Sequence, residues 1–235
     1  MVVKQLSCSE LLKMDELDVN AGNSERRTAL MYAVEEGQVA VVCELLKNDR
    51  VDENDRVDVN AKDRNEETAL IFACRYNDPS APVVVRELLK CDRVDVNAKE
   101  KSGETALICA IKMGNEAVAI KLLKCNRVDV NTADFKGRSA FFWASYRDQL
   151  VVVQEFLKHD DLDVNAKGAH GNTALMWACL WGQTGMVSEL LKLPTVDVHA
   201  KNRAGSTALD IANALELVEI AKCLEPHYEG KRFWI

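Results

Sequence analysis

The chain of 235 residues contains no run of 18 apolar residues, so no helix is expected to span a membrane. Its first residues, MVVKQLSCSELLKMDELDV, have neither an apolar h-region nor a small-residue cleavage site. There is no Asn-x-Ser/Thr acceptor, and none of its eight cysteines form a C-x-x-C pair. Zinc and a disulfide framework are therefore not expected, and the cysteines point to a reducing, cytoplasmic setting. Signatures of catalysis are missing as well: no G-x-S-x-G, no GxxxxGK[ST], no H-E-x-x-H. The four histidines, His159, His170, His199 and His227, are too scattered to form a ligand set. No enzyme, cofactor or metal is expected. A net charge of -7 argues against a whole-molecule attraction to nucleic acid or anionic lipid.

What is present is a repetition. DVNA begins at Asp18, Asp58, Asp95 and Asp163, with the variants DVNT at Asp129 and DVHA at Asp197. TAL begins at Thr28, Thr68, Thr105, Thr173 and Thr207, with SAF at Ser139. Each DVN or DVH precedes its TAL or SAF by 10 residues, and successive starts lie 40, 37, 34, 34 and 34 apart. The Thr or Ser is a good N-cap. After Thr28, the residues Leu30, Ala33 and Val34 fall on one face of a helix that Gly37 ends. A second helix follows, with Val42, Leu45 and Leu46 on one face. Helices this short are marginal alone, so each must bury its stripe against its neighbours. Alanine at one phase in all six repeats (Ala33, Ala73, Ala110, Ala144, Ala178, Ala212) indicates close helix contact. Cys74 with Cys179, and Cys91 with Cys125, also recur in phase and read as small buried or half-buried hydrophobes.

These letters resemble the ankyrin repeat, whose pattern runs D-x-x-G-x-T-P-L-H-x-A-A-x-x-G through LL to G-A-D-V-N-A. The resemblance covers nearly the whole chain, from about Val2 to Glu225, and implies an all-α solenoid of stacked helix-turn-helix repeats joined by hairpin-like loops. The proline after Thr is alanine throughout (Ala29, Ala69, Ala106, Ala140, Ala174, Ala208), and the histidine is Met31, Ile71, Ile108, Phe142, Met176 or Asp210. One domain is expected over 1–225: a capping helix at 2–13, then repeats starting near 18, 58, 95, 129, 163 and 197, with a tail at 226–235. The duplicated NDRVDE/NDRVDV at 48–59 lies between two repeats in phase, and reads as spare loop length, not as a calcium loop, since the central Gly and the acidic spacing of one are missing.

The family resemblance implies a concave face made of hairpin tips and first helices, and a function in holding another protein there. Carried over by phase, the candidate partner-binding residues are Arg64, Arg75 and Tyr76 in the second repeat and Lys101, Lys112 and Met113 in the third. The fourth repeat supplies Phe135, Lys136, Arg138, Trp143, Tyr146 and Arg147, and the fifth His170, Trp177 and Trp181. All face positions together carry nine positive and five negative residues, an excess of four, and hold eight of the 14 aromatics. Arg and aromatic clusters are the material of protein-binding hot spots. The expected partner is an acidic-hydrophobic protein segment, extended or helical, held by a monomer. An adaptor or effector role within a larger protein is the alternative, and nucleic-acid binding is not expected.

Overall fold

The computed structural model describes residues 18–47, 57–76 and 78–229. The expected capping helix at 2–13, most of the duplicated loop and the last six residues lie outside these. Among the described residues there are twelve α-helices and no strand, only one isolated bridge between Ala133 and Ser139. They fall into two compact units divided between Val128 and Asp129.

The first unit holds three helical pairs: α1 (Ala29–Glu35) with α2 (Val39–Lys47), α3 (Ala69–Arg75) with α4 (Ala81–Lys90), and α5 (Ala106–Met113) with α6 (Glu116–Leu123). First helices stack on first helices and second on second: α1 on α3 on α5, and α2 on α4 on α6. The second unit repeats this with α7 (Ala140–Tyr146) and α8 (Leu150–Phe156), α9 (Ala174–Leu180) and α10 (Thr184–Leu191), and α11 (Ala208–Ala214) and α12 (Val218–Glu229).

All six first helices start where the TAL or SAF phase places them. The hydroxyl of Thr28, Thr68, Thr105, Ser139, Thr173 or Thr207 accepts from the N–H three residues on. Where the family has histidine, Met31, Ile71, Ile108, Phe142 and Met176 are buried, so those positions carry packing. Asp210 instead completes a capping box with Thr207. The in-phase alanines are buried in every repeat, as are Cys74, Cys109 and Cys179, while Cys91 and Cys125 are half-buried.

Stacking is stitched by the Asn of DVN. The Asn60 side chain donates to the Arg93 carbonyl at 2.8 Å and accepts from the Asp95 N–H at 2.8 Å. Asn165 does the same with Thr195 and Asp197. His199 occupies this phase in the sixth repeat, and its ring packs edge-on against Tyr228, 4.8 Å away, whose hydroxyl donates to the Val198 carbonyl. Tyr228 thus ties the end of α12 to the last hairpin, and the helix runs on through Pro226 to Glu229, four residues past the expected end at Glu225.

Each hairpin needs a left-handed residue two positions before the N-cap. Four repeats put glycine there (Gly103, Gly137, Gly171, Gly205), but the first two put Arg26 (φ 62) and Glu66 (φ 63). Glu66 makes only a loose 3.8 Å pair with Lys62 at the surface, worth little. Glu66→Gly is therefore expected to raise stability by about 0.5–1 kcal/mol, since relief of left-handed strain outweighs glycine's added chain entropy. Urea denaturation of both proteins checks this, and an unchanged or lower midpoint would refute it.

Candidate protein-binding surface

The side chain five positions before each N-cap organises its hairpin. Asn23, Asp63, Glu100, Asp134 and Asn202 each accept two backbone N–H bonds, from the residues two and four further on. Only the fifth repeat departs, with Gly168. The two N–H groups would otherwise go unmet inside a tight turn. Asp63, Glu100 and Asp134 are buried carboxylates, so this row adds three negative charges to the face. The expected excess of four positive charges falls to one. The family's leading D marks this phase, one residue outside the tip positions that carry the expected partner-binding residues.

In the first unit most of the positive charge is spent within the protein. The residues one before and seven after each N-cap carry opposite charges and meet across the hairpin and first helix. Arg27 lies 3.1 Å from Glu35, Arg75 lies 2.9 Å from Glu67, and Lys112 pairs with Glu104. The sign order reverses after the first repeat, a pattern legible in the letters once the two phases are compared. Arg75 also approaches Glu100 at 4.0 Å and donates to the Cys109 sulfur at 3.7 Å. Burial pushes the Glu67 carboxyl above its usual range, and Arg75 only partly offsets this. Burial likewise pushes the Cys109 and Cys179 thiols up to about 12, which keeps them protonated and unreactive. Arg64 is exposed and lies 3.5 Å from Glu25, and Tyr76 is exposed and stacks on Phe72. Lys101 and Met113 are exposed.

The second unit differs. At the same two phases the fourth repeat has Arg138 and Tyr146, and the fifth Asn172 and Leu180. Arg138 turns back onto Asp134, with Nη2 2.7 Å from its carboxylate, and its guanidinium lies over the Trp143 ring at 4.5 Å. Tyr146 is the hub of a ring cluster. It meets Trp143 at 5.6 Å, Trp177 at 6.3 Å and Trp181 at 5.4 Å, each close to perpendicular, as the ring quadrupoles favour. Phe142 lies buried against the same rings. Trp143, Tyr146 and Trp177 are half-buried, and Trp181 is 56% exposed. Arg147 and Lys136 are exposed, and their side chains make no hydrogen bond or ion pair among the described residues. Phe135 is 72% exposed and His170 is exposed in a left-handed turn. Four of the expected residues, Trp143, Tyr146, Trp177 and Trp181, are thus brought into one ring cluster, with Arg138 against its edge.

Among the described residues no group of three or more His, Cys, Asp and Glu could hold a metal ion, and no helix is long and apolar enough to cross a membrane. The family model for ankyrin repeats in three copies matches residues 53–134, 119–202 and 141–230, and that for the single ankyrin repeat matches 25–64. The chain belongs to the ankyrin repeat family. Ankyrin repeats are generally protein–protein interaction modules, and typically not enzymes. No curated protein sequence matches the chain. Among solved structures it is similar to the ankyrin repeat domain of Bcl-3, a member of the IkappaB protein family, at 27% identity and a TM-score of 0.76, over 90% of this chain and 89% of that one. The ankyrin repeat protein EF0377 aligns at 23% identity and a TM-score of 0.74, over 84% of this chain and 96% of that one, a likeness of fold alone. A third similar chain comes from a complex of the predatory endopeptidase Bd0816 of Bdellovibrio bacteriovorus with the immunity protein Bd3460. It has 26% identity and a TM-score of 0.67, over 88% of this chain and 99% of that one. The ankyrin pattern accounts for the Thr caps, the in-phase alanines and the carboxylates of the hairpins. It does not account for the tryptophans of the second unit.

Proposed function

We propose that this ankyrin protein is a non-enzymatic, intracellular binding module that holds an acidic and hydrophobic segment of a partner protein on the ring cluster of its second unit. The observation that carries this is the joining of Trp143, Tyr146, Trp177 and Trp181 into one half-exposed cluster beside the uncommitted Arg147. Burying rings of this size under a partner yields a large apolar gain at small entropic cost. Arg147 and Lys136 favour a partner segment that carries carboxylates. The ion pairs of the first unit leave less charge to spend there, so the second unit is the better anchor.

The test is affinity capture from cytosol with wild type and with a Tyr146→Ala, Arg147→Ala, Trp181→Ala triple variant, after melts show both folded. Proteins captured by wild type are expected to be depleted about tenfold or more on the variant. Equal capture by both would remove the ring cluster from the binding site.

A further inference from the structure

The second unit ends in a groove that no described helix covers. Within the stack α9 lies on α7 and α11 on α9, and among the described residues no further helix follows α11 and α12. Ser145 and Cys179, at one phase of the fourth and fifth repeats, are buried, whereas Asn213 at that phase in the sixth is exposed. Beside Asn213 a groove of about 550 Å³ is lined by Leu217, Val218 and Ala221 together with the exposed Glu216 and Glu225. Val218 is 59% exposed there. The side chains of Glu216 and Glu225 make no hydrogen bond or ion pair among the described residues, and the neighbouring Lys222 is held by Glu219 at 3.4 Å.

The chain itself carries a segment that fits. The residues from Gly230 to Ile235 follow α12 and read GKRFWI: two cations, then three large apolar side chains. Val218, Ala221, Lys222 and Glu225 recur at helical spacing on one face of α12, and position 229, where the helix ends, is in register with them. The chain therefore leaves α12 on the groove side. A glycine after a helix favours a left-handed turn that reverses the chain. The residues beyond Gly230 extend about 17 Å, and α12 measures about 16 Å from Glu229 back to Val218, so the segment is long enough to run the length of the groove. We infer that residues 230–235 fold back into this groove, with Lys231 and Arg232 beside Glu225 and Phe233 to Ile235 over Ala221, Val218 and Leu217. The order of the letters matches the order of the lining: charge next to the turn, apolar surface further along. Tethering favours this occupant over a separate chain, since a short link gives a high effective concentration. A second copy docked groove to groove would instead set Glu216 and Glu225 near their own kind.

The experiment measures nuclear Overhauser contacts between the Trp234 ring and Val or Leu methyl groups in the full chain. Trp234→Leu assigns them, and a mixture of differently labelled molecules separates contacts within a molecule from contacts between molecules. Two variants test the fit: Val218→Asp at an exposed position of the groove, and Lys231→Glu with Arg232→Glu in the segment itself. The second leaves the groove untouched, so it decides the matter if melts show Val218→Asp unfolded. The expected result is contacts within one molecule from Trp234 to Val218 and Leu217, lost in Val218→Asp and weakened by the charge reversal. Removal of residues 230–235 should speed amide exchange in α12 about tenfold and leave α7 unchanged. Absence of the contacts in wild type would overturn the inference, as would contacts that persist undiminished in the folded variants or exchange that truncation leaves unchanged. Contacts found only between molecules would give the groove to a second copy and overturn it too. No residue of the ring cluster lines the groove, so none of these outcomes bears on the proposed function.

Discussion

Phe156→Ala is expected to remove about 3–5 kcal/mol from the stability of the second unit, the range for emptying a fully enclosed aromatic site. Phe156 has no exposed surface and packs edge-on against Phe141, ring centres 5.4 Å apart. Its helix α8 is seven residues long, too short to stand alone, and is held by Val152, Val153 and Phe156. Little else can close around the gap. Repeat stability is a sum of local and nearest-neighbour terms, so the loss should be concentrated in the helices around α8. Hydrogen exchange should show α7 to α10 losing protection more than α1 to α4, together with a lower urea midpoint. Val151→Ala is the control: Val151 is 55% exposed on the same helix, and its truncation should cost less than about 0.5 kcal/mol. Equal effects from the two substitutions would mean that α8 buries the other face.

The second large effect is expected at Asp134. One carboxylate oxygen accepts the N–H groups of Lys136 and Arg138, both at 2.9 Å, and the other accepts from the Arg138 guanidinium at 2.8 Å. Burial pushes this carboxyl up, but Arg138 and the two N–H groups more than offset it and hold it below its ordinary value. Its folded pKa is therefore depressed relative to the unfolded chain. The stabilisation is complete above the ordinary carboxylate pKa and is lost as pH falls through the depressed folded value. Asp134→Asn keeps the size and removes the charge, so Arg138 faces a neutral amide in a buried turn. It should cost about 3 kcal/mol near neutral pH. The cost should shrink at strongly acid pH, where the wild-type group is itself protonated. Denaturation of both proteins across pH measures it, and a difference that stays constant from neutral to acid would show that charge is not what Asp134 contributes. The guanidinium that Asp134 holds also lies over the face of Trp143, so Arg138 links the hairpin to the ring cluster.

Much of the fold was legible in the letters because its causes are local. Thr28 and its counterparts start helices through a bond to the third residue beyond, and the alanines in phase mark contacts that a larger side chain would prise apart. The end of α12 was not legible, because Pro226 reads as a stop, whereas the helix runs on to Glu229 with Tyr228 docked onto His199 and Val198. The candidate site was legible in part. Phase places Trp143, Tyr146, Trp177 and Trp181 on one face, and the fold brings their rings together. Arg75 and Lys112 lie at the same phases, but Glu67 and Glu104 of their own repeats neutralise them. Asp63, Glu100 and Asp134 sit one position outside those phases.

By itself, the sequence determined the repeat, its helical pairs, their caps and the family, since each follows from spacing, turn chemistry and apolar periodicity within a few residues. Only the tertiary structure decided which charges are spent, which rings meet and which groove stays open. Those depend on side chains brought together from separate helices and hairpins. The strength of an ion pair or the cost of an unmet N–H is set by burial and by distances of a few ångströms, which the order of the letters does not carry.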